Sequence, residues 1–83
     1  MINNNIVVNP ESVGFVIGGG GKTINLIKRD TGAWVQIHQA EPENGRPLPW
    51  FHIRGFQNQV DFATEWINTI ISESVSRKQN GYT

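Results

Sequence analysis

Four consecutive glycines, Gly18, Gly19, Gly20 and Gly21, run directly into Lys22 and Thr23, and this is the stretch of the chain best suited to chemistry. Such a run offers no side chains. It contributes backbone, a turn free to enter positive φ whose N–H groups no Cβ crowds. The run separates an apolar stretch, residues 13–17, from a helix-like stretch, residues 24–31. A glycine turn that opens a helix presents unpaired N–H groups to an anion, and phosphate is the candidate.

Spacing decides which phosphate loop this is. Gly21, Lys22 and Thr23 match the last three positions of G-x-x-x-x-G-K-[ST], but the first glycine would have to stand at 16, which is Val16. The dinucleotide pattern G-x-G-x-x-G fails at Thr23 when started from Gly18 and at Ile24 when started from Gly19. A chain of 83 residues is also too short for the domains that carry those motifs. What remains is a G-x-x-G turn.

Composition narrows the function classes. There is no cysteine, so disulfides and cysteine-based zinc sites are excluded, and His38 and His52 alone make no structural metal site. No nucleophile with a base, no acid pair and no metal set can be assembled, so we expect neither an enzyme nor a cofactor. No apolar run approaches membrane-spanning length and the first residues lack the charge and apolar block of a signal peptide, so we expect no membrane partner and an intracellular domain. Seven Lys+Arg balance seven Asp+Glu. Their distribution matters more than the sum: Lys22, Lys28 and Arg29 cluster behind the glycine turn, whereas Asp61, Glu65 and Glu73 fall near the C-terminus.

The elements that must position the turn follow from periodicity. Residues 5–9 carry Ile6, Val7 and Val8 and read as a first strand closed by Pro10; residues 11–17 read as a short helix. After the turn, residues 22–31 form a second helix with Ile24 and Ile27 on one face and Gly32 as its stop. Residues 34–38 and 50–54 alternate as strands, separated by a proline-rich loop, residues 39–49, that cannot pair regularly. A long amphipathic helix from 57 to about 77 carries Val60, Ala63, Ile67, Ile70 and Ile71 inward, with Phe62 and Trp66 beside them. The reading is a polar extension at 1–4, one domain at 5–75 and a polar tail at 76–83.

Residues 13–37, VGFVIGGGGKTINLIKRDTGAWVQI, resemble the K-homology (KH) motif: an Ile-Gly-x-x-Gly-x-x-Ile centre, an apolar position at Ile27, a Thr31-Gly32-Ala33 helix stop and the alternation Val35, Ile37. The second half, with its Pro-Glu-Asn-Gly loop and a strand closed by Ile53-Arg54-Gly55, is most similar to KH domains of the far-upstream-element-binding and KH-type splicing regulatory group, which includes the P-element somatic inhibitor. The resemblance implies an α+β type I KH fold, β-α-α-β-β-α, with a three-stranded antiparallel sheet packed on three helices. It also implies a slot for about four single-stranded nucleotides.

On that resemblance the backbone of Gly18, Gly19, Gly20 and Gly21 with the head of the next helix, including Thr23, holds phosphates. Gly14, Phe15, Ile17, Ile24 and Val35 form the apolar floor, and Val35 and Gln36 belong to the facing strand. Two departures stand out. The middle loop positions, often Lys or Arg in relatives, are Gly19 and Gly20, leaving Lys22, with Lys28 behind it, to supply the cation. Pro49 stands where relatives often carry a basic base-reading residue, so Arg46 or Arg54 would substitute.

By strand alternation Trp34, Gln36, His38, Trp50, His52 and Arg54 share the sheet face away from the helices. Trp34, Trp50 and His52 form either a cross-strand aromatic cluster or a surface for a protein partner or a further KH domain. The function expected is a single-stranded RNA- or DNA-binding module, pyrimidine-preferring, within a nuclear and also cytoplasmic multi-KH regulator of splicing, mRNA fate or transcription. The alternative is a protein-interaction module that uses the tryptophan face.

Overall fold

Asparagine is a poor strand former, yet the run Asn3-Asn4-Asn5 lies inside the first strand. A computed structural model describes residues 1–80, and in it β1 is Ile2–Val7, not 5–9 as periodicity indicates. The reason is pairing across the sheet. β1 runs antiparallel to β3, Trp50–Gly55, with Asn4 opposite Ile53 and Ile6 opposite Phe51. Asn4 points to the helical side, where its amide nitrogen donates to Thr64 Oγ1 at 3.1 Å. The polar side chain is thereby satisfied, and residues 2–4, read from composition as an extension, belong to the sheet. Val8 leaves the strand into the core, its N–H donated to the Pro49 carbonyl at 3.0 Å.

α1, Pro10–Ile17, starts on a proline at its first turn, where the missing N–H costs nothing. A short 3₁₀ turn, Gly19–Gly21, leads into α2, Lys22–Thr31. Thr31 closes that helix twice: its hydroxyl donates to the Ile27 carbonyl at 2.6 Å and accepts the Ala33 N–H at 3.1 Å. β2, Trp34–His38, then pairs antiparallel with β3, so the sheet order is β1-β3-β2 and β2 is an edge strand. The β-α-α-β-β-α order and the three-stranded antiparallel sheet agree with the type I expectation.

From Pro42, Gly45, Pro47 and Pro49, loop 39–49 is predicted to make no regular pairing. It closes on one bridge, with Glu41 N–H donated to the Arg46 carbonyl at 2.6 Å and Arg46 N–H returned at 3.0 Å. Pro42 starts a single 3₁₀ turn, Pro42–Asn44, and Pro47 and Pro49 stop the pairing there.

The core lies between the sheet and the helices, centred on Val16, Ile27, Val35, Phe51, Ile53 and Ile67. α3, Gln57–Asn80, packs Val60, Ala63 and Ile67 into it, with Trp66, Ile70 and Ile71 at the margin. The helix outlasts the expected end near 77. Of the polar tail expected at 76–83, the backbone of 76–80 prolongs α3 and 81–83 lie outside the described residues.

Candidate nucleic-acid interface

Gly18 ends α1 at φ 76°, its N–H donated to the Gly14 carbonyl at 2.8 Å. A Cβ at this position would stand 2.8 Å from the Thr23 nitrogen, closer than such atoms pack, so only glycine lets α1 turn into α2 here. The Gly21 N–H donates back to the Gly18 carbonyl at 3.1 Å, and the Lys22 N–H to the Gly19 carbonyl. The N–H groups of Gly19 and Gly20 make no hydrogen bond among the described residues. Both glycines are exposed, with open space where a Cβ would be. The expected set of four phosphate-holding amides is thus corrected to two, because Gly18 and Gly21 spend theirs on the turn itself.

Around this turn the structure gathers most of the predicted residues. Gly14 and Phe15 lie exposed on α1, Phe15 at 45 %. Ile17 is half-buried beside the loop, Thr23 half-buried against Gly18, and Lys22 exposed in the first turn of α2. Ile24 keeps 9 % of its surface and contributes only an edge to any apolar floor. Val35 does not contribute its side chain. At 1 % exposure it is core, since strand alternation that turns Trp34 out must turn Val35 in.

The outer sheet face holds the rest. Antiparallel register sets Trp34 opposite Arg54, Gln36 opposite His52 and His38 opposite Trp50. His38 stacks on Trp50 with ring centroids 4.0 Å apart and planes 6° from parallel, and the Arg46 guanidinium lies over the Trp50 ring at 4.7 Å. His52 Nε2 and Asn3 Oδ1 share a hydrogen bond of 2.9 Å. Arg46, Arg54 and Gln36 therefore sit on the far face of the sheet, not in the groove where base readers were expected. Trp50 and His52, both on β3, pack with His38 of β2 across the ladder and are half-buried. Trp34 stays 55 % exposed, with Lys28 Nζ 5.0 Å from its ring centre. Sequence reasoning missed this last contact, which joins α2 to the outer face and has no signature in spacing.

Charge is separated across the molecule. Asp61, Glu65 and Glu73 of α3 line a recess with Asn4, at the β1 edge of the sheet. Lys22 and Lys28 stand on α2 with Arg29, which is paired with Asp30 at 3.3 Å, and α2 packs beside β2 at the opposite edge. A net charge of zero is thus compatible with a positive field over the glycine turn. Among the described residues no group of acidic and histidine side chains could hold a metal ion.

Known proteins are similar in sequence and in fold. The KH domain family model matches residues 4–69. Far upstream element-binding protein 1 of Mus musculus is 34 % identical over 73 residues, covering 87 % of this chain and 11 % of the relative. Far upstream element-binding protein 2 of Homo sapiens is 44 % identical over 55 residues, 65 % of this chain and 8 % of the relative. The chain thus spans about a tenth of the length of the curated relatives it matches. The first type I KH domain of human Vigilin superposes with a TM-score of 0.67 at 17 % identity, covering 90 % of this chain and 76 % of that one. A glycine turn with two open amides, set on this topology and matched across the domain, means that the chain belongs to the KH family, as a type I domain related to those of the far upstream element-binding proteins.

Proposed function

We propose that the domain binds single-stranded nucleic acid, RNA in the first place and single-stranded DNA in the second, along the groove between the glycine turn and the β2 edge. The site takes about four nucleotides, the number a KH clamp holds. The observation that carries this reading is the pair of unengaged N–H groups at Gly19 and Gly20, exposed beside Lys22 at the head of α2. These donors suit phosphate oxygens, and the protruding Phe15 ring narrows the slot toward pyrimidines. A groove resting on two amides and one or two lysines binds weakly, so useful affinity comes from tandem domains of one longer chain. We place that chain among nuclear regulators of pre-mRNA splicing, mRNA fate or transcription, acting also in the cytoplasm.

The test is an NMR titration with randomised RNA and DNA oligonucleotides of about four nucleotides, the length of one site. Amide shifts confined to residues 14–28 and 35–38, larger for RNA, are expected. Unmoved Gly19 and Gly20 amides at saturating oligonucleotide would overturn the reading.

A further inference from the structure

We infer that Trp34, Arg54 and Gln59 form a stacking site for one further base of the same strand, just outside the groove. This rests on the groove reading above, and it gives the outer sheet face a nucleic-acid role in place of a protein one. The place is a recess of about 390 Å³ bounded by Trp34, Arg54, Gln59, Gly32, Gly55 and Met1. Gly32 and Gly55 seat Gln59 at its wall, since a Cβ on Gly32 would stand 2.7 Å from Gln59 Nε2 and one on Gly55 2.8 Å from its Oε1. Gln59 is held in place: its Oε1 accepts the Phe56 N–H at 2.9 Å, and its Nε2 lies beside Gly32. That amide nitrogen makes no hydrogen bond among the described residues, and it is a donor suited to a base edge.

Continuity with the groove comes from Lys28. It stands on α2, which flanks the groove, yet its ammonium group reaches the Trp34 ring on the outer face at 5.0 Å. The two surfaces are therefore one lysine side chain apart, around the edge strand β2. A strand leaving the groove where α2 gives way to β2 meets an exposed indole with a cation over it and Arg54 directly across the ladder.

Charge selects the occupant. The strand residues on this face, Asn3, Asn5, Val7, Trp34, Gln36, His38, Trp50, His52 and Arg54, include no carboxylate, while Lys28, Arg46 and Arg54 bring cations to it. An exposed ring with a lysine cation over it, beside strands that carry no carboxylate on this face, fits a polyanion whose bases stack.

The experiment compares RNA of about four with RNA of about eight nucleotides, both randomised, by NMR on the whole chain and on Trp34→Ala and Arg54→Gln, the lengths chosen to fill or overrun one groove. Both RNAs shift the Gly19 and Gly20 amides; only the longer one shifts the Trp34 indole N–H. Trp34→Ala weakens the longer RNA by about fivefold or more, the low end for loss of one stacked base, and leaves the shorter unchanged. Arg54→Gln does the same to a lesser degree and serves alone should Trp34→Ala lose its dispersed spectrum. If the loop amides shift with the longer RNA while both variants bind it as tightly as the parent, this inference falls and the groove stands. If neither RNA moves the loop amides, the groove reading fails and this one with it. An indole shift produced by raising the protein concentration alone would instead make the face a contact between copies, overturning the inference.

Discussion

Gly18 and Thr23 approach so closely that a single methyl group on Gly18 would collide with the Thr23 backbone and side chain. Gly20, two residues on, also has positive φ, at 63°, but meets open space. The two glycines therefore separate a steric requirement from a conformational one. Gly18→Ala should cost about 2 kcal/mol or more, combining left-handed strain with overpacking, whereas Gly20→Ala should cost about 1 kcal/mol from strain alone. Urea unfolding of both variants measures the difference; equal losses would mean that α1 and α2 are not locked through this contact.

Aspartate at the tip tests binding without touching the fold. Gly19 and Gly20 both have room for a side chain, and aspartate tolerates the left-handed conformation of Gly20 better than most residues. Gly19→Asp with Gly20→Asp places carboxylates where phosphates would sit. Affinity for single-stranded RNA should fall below detection while the unfolding midpoint moves little. Unchanged affinity would remove the amides from the interface.

Few cations stand near the turn, so binding should depend only shallowly on salt. With Lys22 as the phosphate neighbour at the turn and Lys28 drawn to the Trp34 ring, log K against log salt should slope at roughly −0.7, one charge at about 0.7 for a single strand. Lys22→Ala should reduce that slope by about 0.7. Fluorescence anisotropy across a salt series gives both numbers, and a slope that Lys22→Ala does not change would assign the cation elsewhere.

Ser12 on α1 and Ser74 on α3 share a buried hydrogen bond of 3.1 Å, and Ser74 Oγ also donates to the Ile71 carbonyl at 2.8 Å. Ser12 is accordingly the donor of the pair. Ser74→Ala leaves the Ser12 hydroxyl buried without a partner and should cost about 1–3 kcal/mol; Ser12→Ala leaves Ser74 satisfied and should cost about 1 kcal/mol. Thermal unfolding ranks the two, and the reverse order would mean that α1 is not tied to α3 through this bond.

Local signals made much of this molecule legible. The bounds of α2 and β2 follow from Ile24, Ile27, the Gly32 stop and the alternation around Val35, each a near-neighbour pattern. The start of β1 was hidden, because Asn3, Asn4 and Asn5 are in a strand only by virtue of partners about fifty residues away. The site divided in the same way. The glycine turn was visible in the sequence, but which of its amides remain open depends on backbone bonds at Gly14 and Gly18 that composition does not encode. Strand alternation already sets Arg54 on the outer face, against its motif position, and turns Val35 toward the helices; that the helices then cover Val35 down to 1 % exposure is a matter of packing that alternation does not encode.

His38 presents the clearest packing question on the outer face. Its ring lies almost parallel to Trp50, yet its Nε2 is buried with no hydrogen-bond partner among the described residues. Stacking is favourable and the orphaned nitrogen is not, so the two contributions can be separated by keeping the ring and removing the polar atom. His38→Phe retains the stack and should stabilise the domain by up to about 1 kcal/mol, the low end of the cost of an unsatisfied buried group. His38→Ala loses the ring contact and should destabilise by about 0.5–1.5 kcal/mol, the range for an aromatic pair. Urea unfolding of the two variants decides. A destabilised His38→Phe would mean that the imidazole nitrogen has a partner in solution, most simply an ordered water between the stack and loop 39–49.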